Sequence, residues 1–311
     1  MQFGLSEEQI LLLDNVNRFL DDNSPLDRVR LYADGGDDAD IWAGLAELGV
    51  PALLVPEAQG GIGLNPLDAA IVAESLGAHI TPSPFLGTAV MAPTALVASG
   101  GYHDDLLAEI AAGTHRVGIA FSEAIKRRND ARVEARDSRL FGKSLFAFDA
   151  VADSYLVADQ NKHLYLVAAQ DPGLTRTHLT TVDKTRRTVE LTYDDVAAQC
   201  ISTDVGVFER VLDIGRVAIA ADTLGAAQNM LDQAVEYAKQ REQFNRPIGS
   251  FQAVKHMCAE MAAQLEPCRS MVWFAGHALA ELPKEARVTA CHTKAHLAEV
   301  AQFVAKTATE V

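Results

Sequence analysis

Cysteine is scarce in this sequence of 311 residues: there are 4, and no two form a C-x-x-C pair. Neither a disulfide framework nor a thiolate metal site is therefore written into it. Cys258, Cys268 and Cys291 fall in stretches that read as helices, and with Cys200 they are expected to be buried free thiols. Basic residues are also short, 27 against 42 acids, for a formal charge of −15. That balance repels a phosphate backbone and excludes nonspecific nucleic-acid binding. It leaves room for a phosphorylated ligand, because a few local arginines and backbone N–H groups hold a pyrophosphate whatever the total charge. No uninterrupted apolar run reaches the roughly 18 residues of a spanning helix, and the opening Met1-Gln2-Phe3-Gly4-Leu5-Ser6-Glu7-Glu8 lacks the basic start and apolar run of a signal peptide. A cytoplasmic protein is expected. Internal repeats and low-complexity segments are missing as well. What is present is a composition that is 49% hydrophobic, enough for a large core divided over two or three domains.

Ser6-Glu7-Glu8-Gln9 spells a capping box ahead of apolar Ile10, Leu13, Val16 and Leu20, a strong helix start. Further helices fit 38–48 and 67–76, the second entered through Asn65-Pro66 and left at Gly77. From His115 the pattern changes to short alternating runs at 116–121, 155–157, 164–167 and 188–193, the mark of a β-domain. After Thr203 the helical period returns in three stripes: one from Ile214 to Ala238, one from Val254 to Ala275, and one over 288–308. Pro267 falls inside the second, where it removes a backbone hydrogen bond and predicts a kink. The order is helices over 1–113, strands over 114–203 and helices over 204–311.

The most informative segment joins the first two of these C-terminal helices: Arg241-Glu242-Gln243-Phe244-Asn245-Arg246-Pro247-Ile248-Gly249-Ser250-Phe251-Gln252-Ala253-Val254-Lys255-His256. It resembles the acyl-CoA dehydrogenase signature R-x-x-F-G-x-P-I-x-x-F-Q-x-x-x-H. Asn245 stands where the family prefers glycine, and asparagine tolerates a left-handed backbone better than most residues. Pro56-Glu57-Ala58-Gln59-Gly60-Gly61-Ile62-Gly63-Leu64 is similar to the family's P-E-x-x-G-G-x-G loop, and Asp194-Asp195-Val196 to the end of its β-domain. The resemblance implies an α+β, mostly α fold: an N-terminal helical domain, a central β-barrel and a C-terminal helical bundle, paired into dimers and tetramers. It also implies FAD, with Arg241 reaching the pyrophosphate of a neighbouring subunit's cofactor, Gln243 beside it, Phe244 packing near the flavin or adenine, and Gln252 hydrogen-bonding the cofactor. The chemistry is apt on its own terms: a guanidinium presents paired planar donors to phosphate, and a glutamine offers both donor and acceptor. The alternative for Arg241 and Gln252 is capping of two helices at a turn. His256 reads as a helix-packing residue.

The family's reaction, as the resemblance implies, removes the pro-R α-proton of a CoA thioester with a glutamate while the β-hydride moves to flavin N5. The base must face the flavin across the Cα–Cβ bond, and the thioester carbonyl must be polarised. Most members take that glutamate from a segment after a Q-x-H-G-G-x-G loop, and Thr309-Glu310-Val311 stands about where that loop would begin. A minority carry it on the first helix of the C-terminal domain, just before an arginine. Alignment on Arg216 and Leu224-Gly225 puts Gly215 there. Glu209 and Asp213 lie one or two turns earlier and read as solvated first-turn acids. No catalytic residue is assigned.

The strands depart from the family pattern too. Where A-x-T-E-P-x-x-G-S-D is usual, this chain has Ala120-Phe121-Ser122-Glu123-Ala124-Ile125-Lys126-Arg127-Arg128-Asn129. Ser122 replaces the threonine hydroxyl, and the G-S-D part is lost. Where K-x-W-I-T/S-N is usual, it has Lys143-Ser144-Leu145-Phe146-Ala147-Phe148-Asp149. Phe146 keeps an aromatic, but the hydroxyl residue is gone. Lys126-Arg127-Arg128 reads as a solvated face, with contact to a CoA phosphate as the alternative.

Together these positions point to the degenerate subunit of a heteromeric α2β2 acyl-CoA dehydrogenase of the kind that degrades steroid side chains and related CoA esters. Its partners would be an acyl-CoA thioester, a homologous subunit supplying the base and substrate pocket, and electron-transfer flavoprotein or a similar acceptor. Two alternatives stay open: a self-sufficient homotetramer with a further C-terminal segment, and a catalytically silent scaffold.

Overall fold

The computed structural model describes residues 4–101, 103–126 and 131–311. Helices open the chain: α1 (Glu7–Asn23), α2 (Leu26–Ala33), α3 (Ala39–Glu47), α4 (Pro66–Ala78), a π-helical turn (Phe85–Met91) running into α5 (Ala92–Ser99), and α6 (Asp104–Ala111). The middle holds β1 (Val117–Ala120), a short α7 (Ser122–Ile125), β2 (Val133–Arg136), β3 (Arg139–Phe148), β4 (Ser154–Ala158), β5 (Leu164–Ala168), β6 (Leu174–His178), β7 (Thr188–Ala197) and β8 (Gln199–Ser202). Helix α8 (Val205–Gln240), the ribbon β9 (Glu242–Gln243) and β10 (Arg246–Pro247), α9 (Gln252–Glu281) and α10 (Ala286–Glu310) follow. The helix–strand–helix order expected from the periodicities is present. Among the described residues, no helix is long and apolar enough to cross a membrane.

Local chemistry accounts for the helix starts. Ser6 Oγ accepts from the Gln9 amide at 3.2 Å, while Gln9 Oε1 accepts from the Ser6 amide at 3.0 Å, closing the capping box. Asn65 Oδ1 accepts from the Leu67 amide at 2.8 Å, and Asp68 Oδ2 accepts from the Asn65 amide at 2.9 Å. Helix α4 does not stop at Gly77 as expected; it continues to Ala78, and the left-handed residue that follows is Ile80 with φ 52°. Helix α9 runs through Pro267 without interruption. Pro267 and Ala263 are both exposed, so the carbonyl left without its amide partner can turn to water.

The chain divides into two compact units. The first gathers Met1–Leu26, Asn65–Thr81 and Arg216–Val311. Within it α4 and α8 touch at the level of the backbone. A Cβ on Gly77 would lie 1.9 Å from the Asp222 carbonyl oxygen, and one on Gly225 would lie 1.9 Å from that of Glu74. Gly77 is a contact residue, which is why it sits inside the helix rather than ending it. An ion pair from Arg269 of α9 to Glu74 of α4, with Gln228 Oε1 of α8 3.4 Å from the guanidinium, ties three helices beside this crossing. Burial holds the Glu74 carboxyl above its ordinary range, and Arg269 opposes the shift.

The second unit comprises Asp27–Leu64 and Pro82–Gly215. Its eight-stranded sheet has the order β6-β7-β3-β1-β4-β5-β8, with β2 on β3. The pairing of β1 with β4 is parallel and the others are antiparallel. Leu156 of β4 joins Ile119, Leu96, Ile110 and Phe208 on one face, while Tyr155 and Val157 join Tyr165, Val167, Leu191 and Tyr193 on the other. A strand covered on both faces reads as an unbroken apolar run, and this one does.

The cysteines are free, but only Cys268 is fully buried. Cys258 and Cys291 lie at the margins of their stripes, and Cys200 points outward from β8, a terminal strand of the sheet, so the expectation of four buried thiols is corrected.

The Gly77 and Gly225 contact leaves no room for a methyl group. Gly225→Ala is expected to lower unfolding stability by about 1–3 kcal/mol or more, against a gain of up to about 1 kcal/mol for an exposed mid-helix glycine. Urea denaturation of the variant measures it, and an unchanged midpoint would refute the close crossing.

Candidate functional site

Helix α8 ends at Gln240 and the chain reverses at once. The Arg241 amide donates to the Tyr237 carbonyl at 2.9 Å, and the Arg241 carbonyl accepts from the Ile248 amide at 2.8 Å. Between them β9 and β10 pair with Gln243 opposite Arg246 and Glu242 opposite Pro247. The two loop residues, Phe244 and Asn245, have φ of 55° and 60°. Two consecutive left-handed residues make a type I′ turn, the tight connection whose twist matches its flanking strands. Asn245 adopts this at little cost, as its place in the signature predicts, whereas for Phe244 it stores on the order of 1–3 kcal/mol.

The turn puts polar and aromatic groups into solvent. Phe244 is 86% exposed, and its ring meets that of Phe251 edge-on with centroids 6.1 Å apart. The Arg241 guanidinium lies at the hydroxyl edge of the Tyr237 ring, 5.6 Å from its centroid, and donates to the Tyr237 hydroxyl. Gln243 and Gln252 are exposed. Four of the six expected residues therefore stand on one short, exposed segment of the first unit. Tyr237, the neutral partner of Arg241, lies outside the signature and could have been found only by counting back one helical turn. The capping alternative fails for Gln252, whose α9 starts without a side-chain cap.

Ser122 and Phe146 belong to the second unit. Ser122 Oγ donates to Glu123 Oε2 at 2.7 Å, and Glu123 Oε1 accepts from the Leu145 amide at 3.0 Å. Glu123 is only 6% exposed, so the serine expected to meet a flavin is engaged by a buried carboxylate. Phe146 is partly exposed on β3, next to Ala147, which is fully buried and has no hydroxyl. Lys126 is exposed, while Arg127 and Arg128 lie outside the described residues.

The position aligned with a first-helix base is closed by packing. A Cβ on Gly215 would stand 2.9 Å from Met91 Sδ and 3.2 Å from its Cε, and Met91 is buried in the apolar cluster with Val207, Phe208 and Val211. A carboxylate there would have to displace the thioether. Glu209 pairs with Lys162 at 3.8 Å, and Asp213 is buried rather than solvated. No sequence signal marks Met91, because its contact with Gly215 spans two distant segments.

The second unit also holds a cavity of about 190 Å³ lined by Tyr32, Asp38, Phe148, Asp149 and Arg187, among others. Arg116 bonds Asp38 at 2.8 Å, and Arg187 stacks over the Tyr32 ring while donating to the carbonyls of Tyr32 and Gly36. Desolvation, with the nearby Asp38 charge, pushes the Asp149 carboxyl up to about 7, against the pull of Arg186 and Arg116. The same burial raises the Tyr32 phenol to about 12.

As for what could be held here, the hairpin suits an anionic, partly aromatic cofactor. It offers a guanidinium with a neutral partner, two amides and an exposed ring. The Ser122 and β3 positions do not suit a flavin ring, since their hydroxyl is engaged or missing.

Two family models match: the acyl-CoA dehydrogenase N-terminal domain over residues 6–114 and the acyl-CoA dehydrogenase C-terminal domain over residues 205–311. The chain belongs to the acyl-CoA dehydrogenase family. It is 34% identical over 258 residues to acyl-CoA dehydrogenase IpdE2 of Mycobacterium tuberculosis, covering 81% of this chain and 69% of that one. IpdE2 of Mycolicibacterium smegmatis is 31% identical, over 86% of this chain and 76% of its own length. Among solved structures, the ChsE4-ChsE5 complex from Mycobacterium tuberculosis superposes with a TM-score of 0.89 at 26% identity, covering 99% of this chain and 87% of that one. A variant of the Tcur3481-Tcur3483 steroid enzyme gives 0.83 at 26% identity, over 96% and 86%. The chain is thus a subunit of an FAD-dependent acyl-CoA dehydrogenase.

Because Asp149 holds its proton up to about pH 7 in the folded state but only to about 3.8 when unfolded, its contribution to stability falls as pH rises through that window and is lowest above it. Asp149→Asn, which tolerates the left-handed φ of 64° equally well, is expected to stabilise the protein by about 1–4 kcal/mol at pH 8 and to be near neutral at pH 4. Denaturant melts at the two pH values check it, and equal effects at both would refute the raised carboxyl.

Proposed function

We propose that this chain is the catalytically incomplete subunit of a heteromeric acyl-CoA dehydrogenase, lending the hairpin around Arg241 to an FAD held mainly by a homologous partner. The partner supplies the glutamate base and the acyl pocket. The reaction is α,β-desaturation of a CoA thioester, and FAD, when bound, takes up the β-hydride as the α-proton leaves. The electrons pass on to electron-transfer flavoprotein or a similar acceptor. We place the enzyme in the cytoplasm, with the chain divided at 1–113, 114–203 and 204–311.

One contrast carries this reading. The segment that would reach a neighbour's cofactor is intact and exposed, from Arg241 and Gln243 through Phe244 to Gln252. The positions that would hold this subunit's own flavin and base are spent: Ser122 on Glu123, Ala147 without a hydroxyl, and Gly215 against Met91. Retention on one side and loss on the other is the division of labour between unlike subunits. Similarity to a solved ChsE4-ChsE5 complex and to a Tcur3481-Tcur3483 steroid enzyme supports pairing and favours a steroid-derived or other lipid-derived acyl group.

Purified alone, the chain should bind little FAD; co-expressed with its homologous subunit, it should give a yellow complex that oxidises an acyl-CoA. Stoichiometric flavin and activity from the chain alone would overturn the proposal in favour of a homotetramer. In the complex, Arg241→Ala should weaken FAD binding by about 1–3 kcal/mol, as expected for loss of a charge-assisted phosphate contact. Unchanged FAD affinity would leave only a scaffold role.

A further inference from the structure

Alternation along the hairpin sorts its side chains by face. Successive residues of a strand point to opposite sides, and residues directly opposite share a side. Gln243 and Arg246 are directly opposite, so they share one face; Arg241 stands two residues before Gln243, where its carbonyl accepts from the Ile248 amide and extends the hairpin by one step. Glu242, the carboxylate of these strands, pairs with Pro247 on the other face.

The Arg246 guanidinium is held in place. It stacks over the Phe251 ring with 4.0 Å between Cζ and the ring centroid, and Phe251 is in turn met edge-on by Phe244. Each guanidinium on this face therefore has a neutral aromatic partner, Arg241 the hydroxyl edge of Tyr237 and Arg246 the face of Phe251. Among the described residues neither has a carboxylate within ion-pair distance, although the chain carries 42 acids to 27 bases. Elsewhere arginines in contact with acids are common, as in Arg28 with Asp40, Arg116 with Asp38 and Arg139 with Asp195. A neutral aromatic partner removes part of the entropy an arginine loses on binding without supplying a competing negative charge. Two such groups flanking an exposed amide and an exposed phenyl ring fit a ligand with adjacent phosphates joined to an aromatic base.

We infer that Arg246 is a second phosphate-binding arm, which together with Arg241 clamps the diphosphate of the partner-held FAD. This rests on the reading that the hairpin serves a partner's cofactor and adds a residue to it. Arg246 needs no base chemistry and touches no reacting atom; its contribution is to affinity and to selection of the dinucleotide over a mononucleotide.

The test uses the co-expressed complex, stripped of flavin and titrated with FAD and, separately, with FMN, which lacks the adenylate and its second phosphate. Arg246→Ala should weaken FAD binding about tenfold or more and flatten its salt dependence, while leaving FMN binding unchanged. Arg246→Lys should restore only part of the loss, because it keeps the charge without the planar stack. Thermal denaturation of each variant checks that this exposed substitution leaves the fold intact. If Arg241→Ala weakens FAD binding and Arg246→Ala does not, the second arm is refuted while the hairpin's role stands. Neither substitution having an effect would refute both. Loss of tetramer in sedimentation, with FAD affinity unaltered in the complex that remains, would place Arg246 in a protein contact and overturn the inference.

Discussion

The close crossing of α4 and α8 is the constraint on which the first unit depends. Helix axes can approach until backbone meets backbone only where both surfaces lack a Cβ, and Gly77 and Gly225 provide that on each side. The half-buried ion pair of Arg269 with Glu74, joined by Gln228, then ties α9 into the same corner. Removing one partner would leave a partly desolvated charge uncompensated, which adds to the cost of separating the three helices. With α8 set in this way, its last turn places Tyr237 and Arg241 together.

What α8 delivers is a hairpin whose cations have neutral partners. A guanidinium already bonded to a carboxylate gains little from a phosphate, since one anion merely replaces another. Beside a neutral ring or hydroxyl, it keeps its full charge uncompensated and its orientation as well. The left-handed backbone at Phe244 is consistent with this use, since strain held by a rigid turn keeps a large apolar ring in water where a relaxed loop would fold it away. Local positive charge in a chain of formal charge −15 shows why net charge speaks to bulk partners and not to individual sites.

In the second unit the corresponding polar groups are satisfied internally. Glu123 draws the Ser122 hydroxyl and the Leu145 amide to itself, and Met91 occupies the space in front of Gly215. These are ordinary packing solutions: a buried carboxylate takes the donors within reach, and an apolar core fills its gaps with a flexible thioether.

The sequence by itself determined the family, the order of helices and strands, and a turn between two helices at 241–251, because these rest on signals local in the chain. Capping boxes span four residues, strand alternation has a period of two, and the signature is contiguous, so Ser6, Asn65 and the left-handed Asn245 could be assigned from their neighbours alone. It misread Gly77 as a helix end and four thiols as buried, because a glycine that stops a helix and one that admits a neighbour look alike until the neighbour is known. Tertiary structure alone decided that Met91 seals Gly215, that Glu123 claims Ser122, that Asp149 is desolvated beside Asp38, and that Phe251 carries Arg246. Each of these depends on distances between groups whose meeting is set by packing, and packing energy belongs to the folded assembly of contacts rather than to any stretch of residues.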